Sequence, residues 1–476
     1  MSDKTFPFLK FHRALPQEVP VPVRVLGYGE IHGGFVNGDA ADQASRCIDC
    51  GNPYCSWACP LGNRIPQWLA LVRDGRLLDA ASLMHETNPL PEICGRVCPQ
   101  DRLCEGSCTL EEGFGAVTIG SIERWVTDEA IRRGWRPAST AQEPSGKRVA
   151  IVGAGPAGLA AADRLVRSGV AVEVFDRYEE IGGLLTFGIP AFKLDKAVVR
   201  TRRQVLEELG VVFRLGIEIG RDVPFAELVD AYDAVFMATG AYRYVDGRLP
   251  GQDLPGVHAA LPFLVANTRR LLGTAIAADA LPDLAGRRVV VLGGGDTAMD
   301  CVRSSVRLGA AKVTCVYRRD EANMPGSRRE VKYAKEEGVE FVFQRQPLDV
   351  VGDTAATGVR VARTTLVRDG RGRARSQVEA GSEEVLAADV VILAFGFEPS
   401  PPDWCDAFGL ARDAGGRLVV GGPGRLAGQT SHDKIFAGGD NVRGADLVVR
   451  AVHDGREAAA SIAHMLAEAT AEMAAV

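Results

Sequence analysis

The sequence predicts an α/β protein in three parts: a helical N-terminal domain built around cysteines, then two Rossmann-like dinucleotide-binding domains. Three observations carry this. Eight of the 11 cysteines lie between residues 47 and 108. Residues 1–145 hold no β-branched run, while Ile65, Trp68, Leu69, Val72, Leu77 and Leu78 recur at helical spacing. From Lys147 and again from Arg288, the order is strand, glycine-rich turn, helix, strand. The expected parts are 1–145, 146–285, 286–400 and 401–476. Arg136–Gly146 reads as a linker, and Leu447–Met465 as a closing helix.

A net charge of -6 argues against a nucleic-acid binder, which wants a basic face. No apolar run approaches the length of a membrane span. Met1–Pro16 carries Lys4, Lys10, His12 and Arg13 and lacks the apolar stretch of a signal peptide. The expected compartment is the cytoplasm.

In such a reducing compartment, dense cysteines read as metal ligands rather than disulfides. The first run is Cys47, Cys50, Cys55 and Cys59, the last followed by Pro60. The second is Cys94 and Cys98, followed by Pro99, then Cys104 and Cys108. A [4Fe–4S] cube takes one thiolate per iron, and in ferredoxin runs the cysteine before proline serves the other cluster. By that logic Cys47, Cys50 and Cys55 hold one cluster, Cys59 reaches to a second, and Cys108 returns to complete the first. Zinc is the alternative, but it normally shows two C-x2-C pairs and only Cys47/Cys50 has that spacing. Cys301, Cys315 and Cys405 read as packing residues; none has a C-x-x-C partner.

The strand Arg148–Val152 runs into Gly153-Ala154-Gly155-Pro156-Ala157-Gly158, a G-x-G-x-x-G. The first glycine permits the tight turn, the second lets a pyrophosphate approach, and the third lets the helix pack on the strand. The helix N-terminus offers free N–H groups to phosphate. The next strand ends at Asp176, a carboxylate placed to take ribose hydroxyls.

The second turn is Gly293-Gly294-Gly295-Asp296-Thr297-Ala298, a G-x-G-x-x-A after Val289–Leu292. Its following strand, Lys312–Tyr317, ends at Arg318-Arg319 where an NAD site would carry an acid. Guanidinium groups there would pair with a 2′-phosphate, so this site should prefer NADPH. Arg328 and Arg329 lie close in sequence and could assist; the alternative is a solvated basic loop. Gly396 follows the strand Val390–Leu393 and closes this unit. No G-x-S-x-G elbow and no H-E-x-x-H motif occurs, so group-transfer chemistry has no evident site.

Further glycine segments make the first site resemble the FAD site of two-dinucleotide flavoproteins of the glutathione-reductase type. They are Gly182-Gly183-Leu184-Leu185, Gly188-Ile189-Pro190, Thr239-Gly240 and, returning near the C-terminus, Gly439-Asp440. The whole chain resembles the small (beta) subunit of bacterial NADPH-dependent glutamate synthase. Phe8–Arg13, Val25–Phe35 and Asn88–Pro99 carry that likeness beside the order of the sites. The same module resembles the N-terminal half of dihydropyrimidine dehydrogenase and related ferredoxin:NADP oxidoreductases.

The resemblance implies FAD, NADPH and two [4Fe–4S] clusters. One cluster would take Cys47, Cys50, Cys55 and Cys108; the other Cys59, Cys98 and Cys104. For its fourth ligand, dihydropyrimidine dehydrogenase uses a glutamine in an I-G-G-L-Q segment. Here Ile119-Gly120-Ser121-Ile122-Glu123 places Glu123 at that position, and Cys94 competes with it. The resemblance also implies a hetero-oligomer with a large (alpha) subunit carrying FMN and a further iron–sulfur cluster. That subunit would make L-glutamate from L-glutamine and 2-oxoglutarate. A non-enzymatic redox sensor would need fewer parts.

Overall fold

The computed structural model describes residues 6–36, 38–137, 143–368 and 374–474. Part of the expected linker, residues 138–142, lies outside them.

In the N-terminal domain, helices Ile65–Arg73, Leu77–Thr87, Pro91–Val97 and Ile119–Arg132 surround a core of Trp68, Leu69, Met84, Ile122 and Val126. The helical spacing of Ile65, Trp68, Leu69 and Val72 puts all four on one buried face. Pro91–Val97 and Ile119–Arg132 meet backbone to backbone. A Cβ on Gly95 would stand 2.7 Å from the Arg124 amide nitrogen and 2.8 Å from the Gly120 carbonyl. Only glycine allows that approach, and it brings Cys94 and Cys98 toward Glu123.

The first nucleotide unit is a parallel sheet. Its order is Ile435–Ala437, Ala234–Met237, Arg148–Val152, Ala171–Asp176, Val212–Leu215. Fully buried strands of this kind read as continuous Val/Ile/Phe runs, as Val149–Val152 and Ala234–Met237 do. The C-terminal segment therefore returns to the first sheet. The closing helix, Val448–Ala474, is longer than the alternation suggests and lies against Pro156–Arg167. They touch at Gly455, where a Cβ would collide with the Ala157 carbonyl.

The second unit is another parallel sheet: Val257–Ala259, Val390–Leu393, Arg288–Leu292, Lys312–Tyr317, Glu340–Phe343. This corrects the boundary expected at 285/286. Val257–Ala259 pairs with Val390–Leu393, and Ala260, Phe263 and Leu264 pack in the second core. A three-residue strand is too short to show period-2 alternation, so the sequence hid it. An antiparallel sheet of Arg345–Val351, Gly358–Arg368, Ala374–Val378 and Glu384–Ala387 is inserted in this unit.

Buried charge joins the parts. Arg202, on helix Lys196–Glu208, donates to both carboxylate oxygens of Glu92 at 2.8 and 2.7 Å and stands 3.1 Å from His85 Nε2. Burial holds His85 down to about 3, so it is neutral there. On the other side Arg24 pairs with Glu337 at 3.1 Å, and Arg303 pairs with Glu337 and Glu330 at 2.9 and 2.6 Å.

Candidate functional site

A single cleft of about 400 Å³ runs between the three parts. The first glycine turn lines it with Gly153, Gly155, Pro156 and Ala157. Gly153 has φ +110, and a Cβ there would collide with the Ala238 carbonyl. A Cβ on Gly158 would collide with the Gly153 carbonyl, so this glycine sets the helix on its strand and does not face the cleft. Beside Gly155 a Cβ would meet nothing within 4 Å. That open space at the start of Pro156–Arg167 fits a pyrophosphate.

Asp176 lines the cleft and accepts hydrogen bonds from the Ala154 and Tyr178 amides at 2.7 and 2.8 Å. Ala154 itself is buried beneath the turn. Gly183, Leu184, Gly188, Ile189, Thr239, Gly240, Gly439 and Asp440 complete the wall. The segments that the sequence scattered between Gly153 and Asp440 thus form one cradle. Asn441 ties its returning edge to the Met237 carbonyl at 3.0 Å and Thr239 Oγ1 at 3.3 Å.

The second turn faces the same cleft through Asp296 and Thr297. Gly293 and Gly294 are packing positions: a Cβ would strike the Ala394 carbonyl and the Tyr317 ring respectively. Gly295 has open space and precedes the helix Asp296–Arg307, whose Ala298 is buried. Gly396 has φ +105 at the turn after Val390–Leu393. Arg318 is exposed, and the Arg319 Nε is buried without a partner among the described residues. A buried guanidinium nitrogen without a protein partner suits an anionic ligand. Arg329 instead lines the main cleft and donates to the Arg96 carbonyl at 3.3 Å, so it belongs to the junction with the helical domain. Exposed Arg328 makes no side-chain pair among the described residues.

The cysteines separate into two groups. Cys47, Cys50, Cys55 and Cys108 line one small cavity with Leu69, Val117 and Ile119. Cys59, Cys94, Cys98 and Cys104 lie with Glu123: Cys94 and Glu123 are near enough to add to the raised pKa of Cys59 and Cys98, and Glu123 and Cys59 to that of buried Cys104. Helix Tyr54–Ala58 carries Cys55 into the first group, and Cys59 directly after it enters the second. Burial pushes Cys55 to about 12 and Cys59 to about 11. Such thiols ionise only against a cation, which is what iron supplies. Among the described residues no three His, Cys, Asp or Glu side chains stand close enough to share one ion. A cube with one thiolate per iron spreads its ligands wider than a single ion does.

Cys98 also lines the main cleft, whereas Cys50 is exposed. The second group therefore borders the cleft and the first reaches the surface. Both candidates for the remaining ligand are in the second group. Glu123 Oε1 accepts from Asn63 and Asn88 Nδ2, each at 3.1 Å, and burial raises this carboxyl to about 8. The Cys94 thiol donates to Asn88 Oδ1 at 3.7 Å. Cys301, Cys315 and Cys405 are buried in apolar cores, as expected of packing residues. Lys193, Asp300 and Glu330 also line the cleft and were not anticipated. Nothing in their spacing marks them, since they converge from three separate segments.

Known proteins match the same division. Residues 24–135 fit the family described as dihydropyrimidine dehydrogenase domain II, 4Fe-4S cluster, and residues 147–455 fit pyridine nucleotide-disulphide oxidoreductase. A glutamate synthase [NADPH] small chain from Halomonas elongata is 57% identical, covering 96% of this chain and 97% of the relative. The Escherichia coli small chain is 54% identical over 98% of this chain and its own full length. The chain belongs to the glutamate synthase [NADPH] small-chain family. Within that family it is an oxidoreductase with FAD, NADPH and [4Fe–4S] cofactors. Outside the family, FprA from Mycobacterium tuberculosis shares the fold at 21% identity, with a TM-score of 0.57 over 70% of this chain and 86% of its own. No helix among the described residues is long and apolar enough to cross a membrane.

Proposed function

We propose that this chain is the NADPH-oxidising subunit of a glutamate synthase. It would pass electrons through two [4Fe–4S] clusters to a large subunit bearing FMN and a further iron–sulfur cluster, which makes L-glutamate from L-glutamine and 2-oxoglutarate. The observation that supports this best is the shared cleft: both glycine-turn helices and Cys98 border it. FAD bound there would take a hydride from NADPH and release single electrons.

The residues divide the work. Gly155 and the first turn of Pro156–Arg167 hold the FAD pyrophosphate, and Asp176 faces its ribose. Gly295 and the N-terminus of Asp296–Arg307 hold NADPH, with Arg318 and Arg319 on its 2′-phosphate. Cys59, Cys98 and Cys104, with Cys94 or Glu123, hold the inner cluster; Cys47, Cys50, Cys55 and Cys108 hold the outer one. Separate Cys94→Ala and Glu123→Ala variants identify the fourth ligand by which one loses inner-cluster iron.

The complex tests the assignment. Co-purification should recover a large FMN-bearing partner, and the pair should oxidise NADPH in a glutamine-dependent manner. If both are missing, the output is that of a dihydropyrimidine dehydrogenase or ferredoxin:NADP oxidoreductase instead. Changing Arg318 and Arg319 to Ala is expected to weaken NADPH use by about 10- to 100-fold, the scale of one charged hydrogen bond. NADH use should hardly change, and equal losses for both nucleotides would defeat the 2′-phosphate assignment.

A further inference from the structure

Lys193 is a charged group in the cleft to which neither phosphate site above gives a role. Lys193 follows the Gly188-Ile189-Pro190 turn of the first unit, and its Nζ lies 2.7 Å from Asp300 Oδ1 and 3.7 Å from Glu330 Oε2. Asp300 is on Asp296–Arg307, one turn beyond the residues that open that helix, and Glu330 is on Arg328–Glu336. Both carboxylates belong to the second unit. The pair thus crosses from the FAD cradle to the NADPH unit, and all three side chains line the cleft.

These groups are nearly enclosed: the side chains of Lys193, Asp300 and Glu330 are 13%, 9% and 8% exposed. Burial works against the Lys193 ammonium, yet Asp300 and Glu330 keep its pKa above the ordinary lysine value. Burial also works against the Glu330 carboxylate, but Lys193 and then Arg303 hold it down to about 2. Holding separated charges in a buried cleft is costly and needs a reason beyond tying two units together.

Hydride transfer offers one. NADPH gives up a hydrogen with both electrons and becomes NADP+, so its ring gains one positive charge. The flavin receives that hydrogen with the electron pair and becomes one unit more negative. We propose that Lys193 is a positioning residue for this step. With Asp300 at 2.7 Å it forms a fixed dipole, its positive end on the FAD unit and its negative end on the NADPH unit, while Glu330 is already paired within the NADPH unit by Arg303 at 2.6 Å. A dipole set before the reaction favours the charge that the reaction develops, with no reorganisation cost at that moment. This rests on NADPH binding at Gly293–Ala298.

The test uses the full-length protein loaded with FAD and clusters. Flavin absorbance is followed anaerobically against set NADPH/NADP+ ratios, giving the equilibrium constant of hydride exchange. Lys193→Met is expected to shift that constant toward NADPH by about tenfold or more, the scale of one lost interaction between buried charges. Lys193→Arg should restore it. Should Lys193→Met not fold, the double variant Lys193→Met/Asp300→Asn removes the buried pair without stranding Asp300. It leaves the net charge of the site unchanged and should shift the constant in the same direction. An unchanged constant in flavin-loaded Lys193→Met, or in the double variant, overturns the proposal. Absence of exchange in the unmodified protein would instead overturn the NADPH assignment.

Discussion

Replacing Arg202 with methionine is expected to destabilise the protein by about 3–5 kcal/mol, the range for a buried ion pair broken from one side. Arg202 is 1% exposed and Glu92 2%. The guanidinium meets both carboxylate oxygens, and the Glu92 side chain has no other cationic partner within salt-bridge distance among the described residues. Methionine would fill much of the space but leave the carboxylate dry and unpaired. Denaturant unfolding should be followed by tryptophan fluorescence, since Trp135 lies 5.0 Å from the His85 ring and reports on this junction. Arg202→Met/Glu92→Gln should recover most of the loss, because no charge is then stranded. A single-variant effect below about 1 kcal/mol would show that the junction is not held by this pair.

Gly158→Val is expected to give protein that folds but holds no FAD. The added side chain would meet the Gly153 carbonyl of the turn and come within 3.2 Å of Ile151 Cγ2 on the strand before it. Backbone on one side and a core strand on the other cannot yield locally. The helix must lift, which moves its N-terminal amides away from the phosphates. Flavin absorbance of the purified variant should fall to near zero, with iron content kept. NADPH binding at the second sheet, measured by calorimetry, should persist, since that turn is built on different strands. Retained flavin would mean that the helix can slide, and the close-packing role of this glycine would be lost.

Much of this architecture is legible in short stretches of residues. The two glycine turns, the strand before each and the Arg318-Arg319 pair lie within about thirty residues of one another in each unit. Their meaning is local: a missing Cβ at Gly158 is required by the Gly153 carbonyl a few residues away, and one at Gly294 by the Tyr317 ring on the next strand. The cysteine runs are legible for the same reason, because iron ligands must recur at loop-length spacing.

Other features could not be read this way. Val257–Ala259 joins the second sheet through pairing with a strand more than 130 residues away, and nothing in three residues signals it. Arg329 could be placed near the second turn by sequence distance, yet its guanidinium reaches Arg96. Cys94 and Glu123 converge because Gly95 lets two helices touch. Lys193 meets Asp300 and Glu330 across two units.

The amino-acid order was therefore enough to establish the ligand classes, the helical cysteine domain and the two nucleotide folds. Each depends on residue types at short, repeated spacing. The convergence of Cys94 and Glu123, the extent of the second unit and the charges lining the cleft came from packing. They depend on many weak contacts between distant segments, and no short pattern records such a sum.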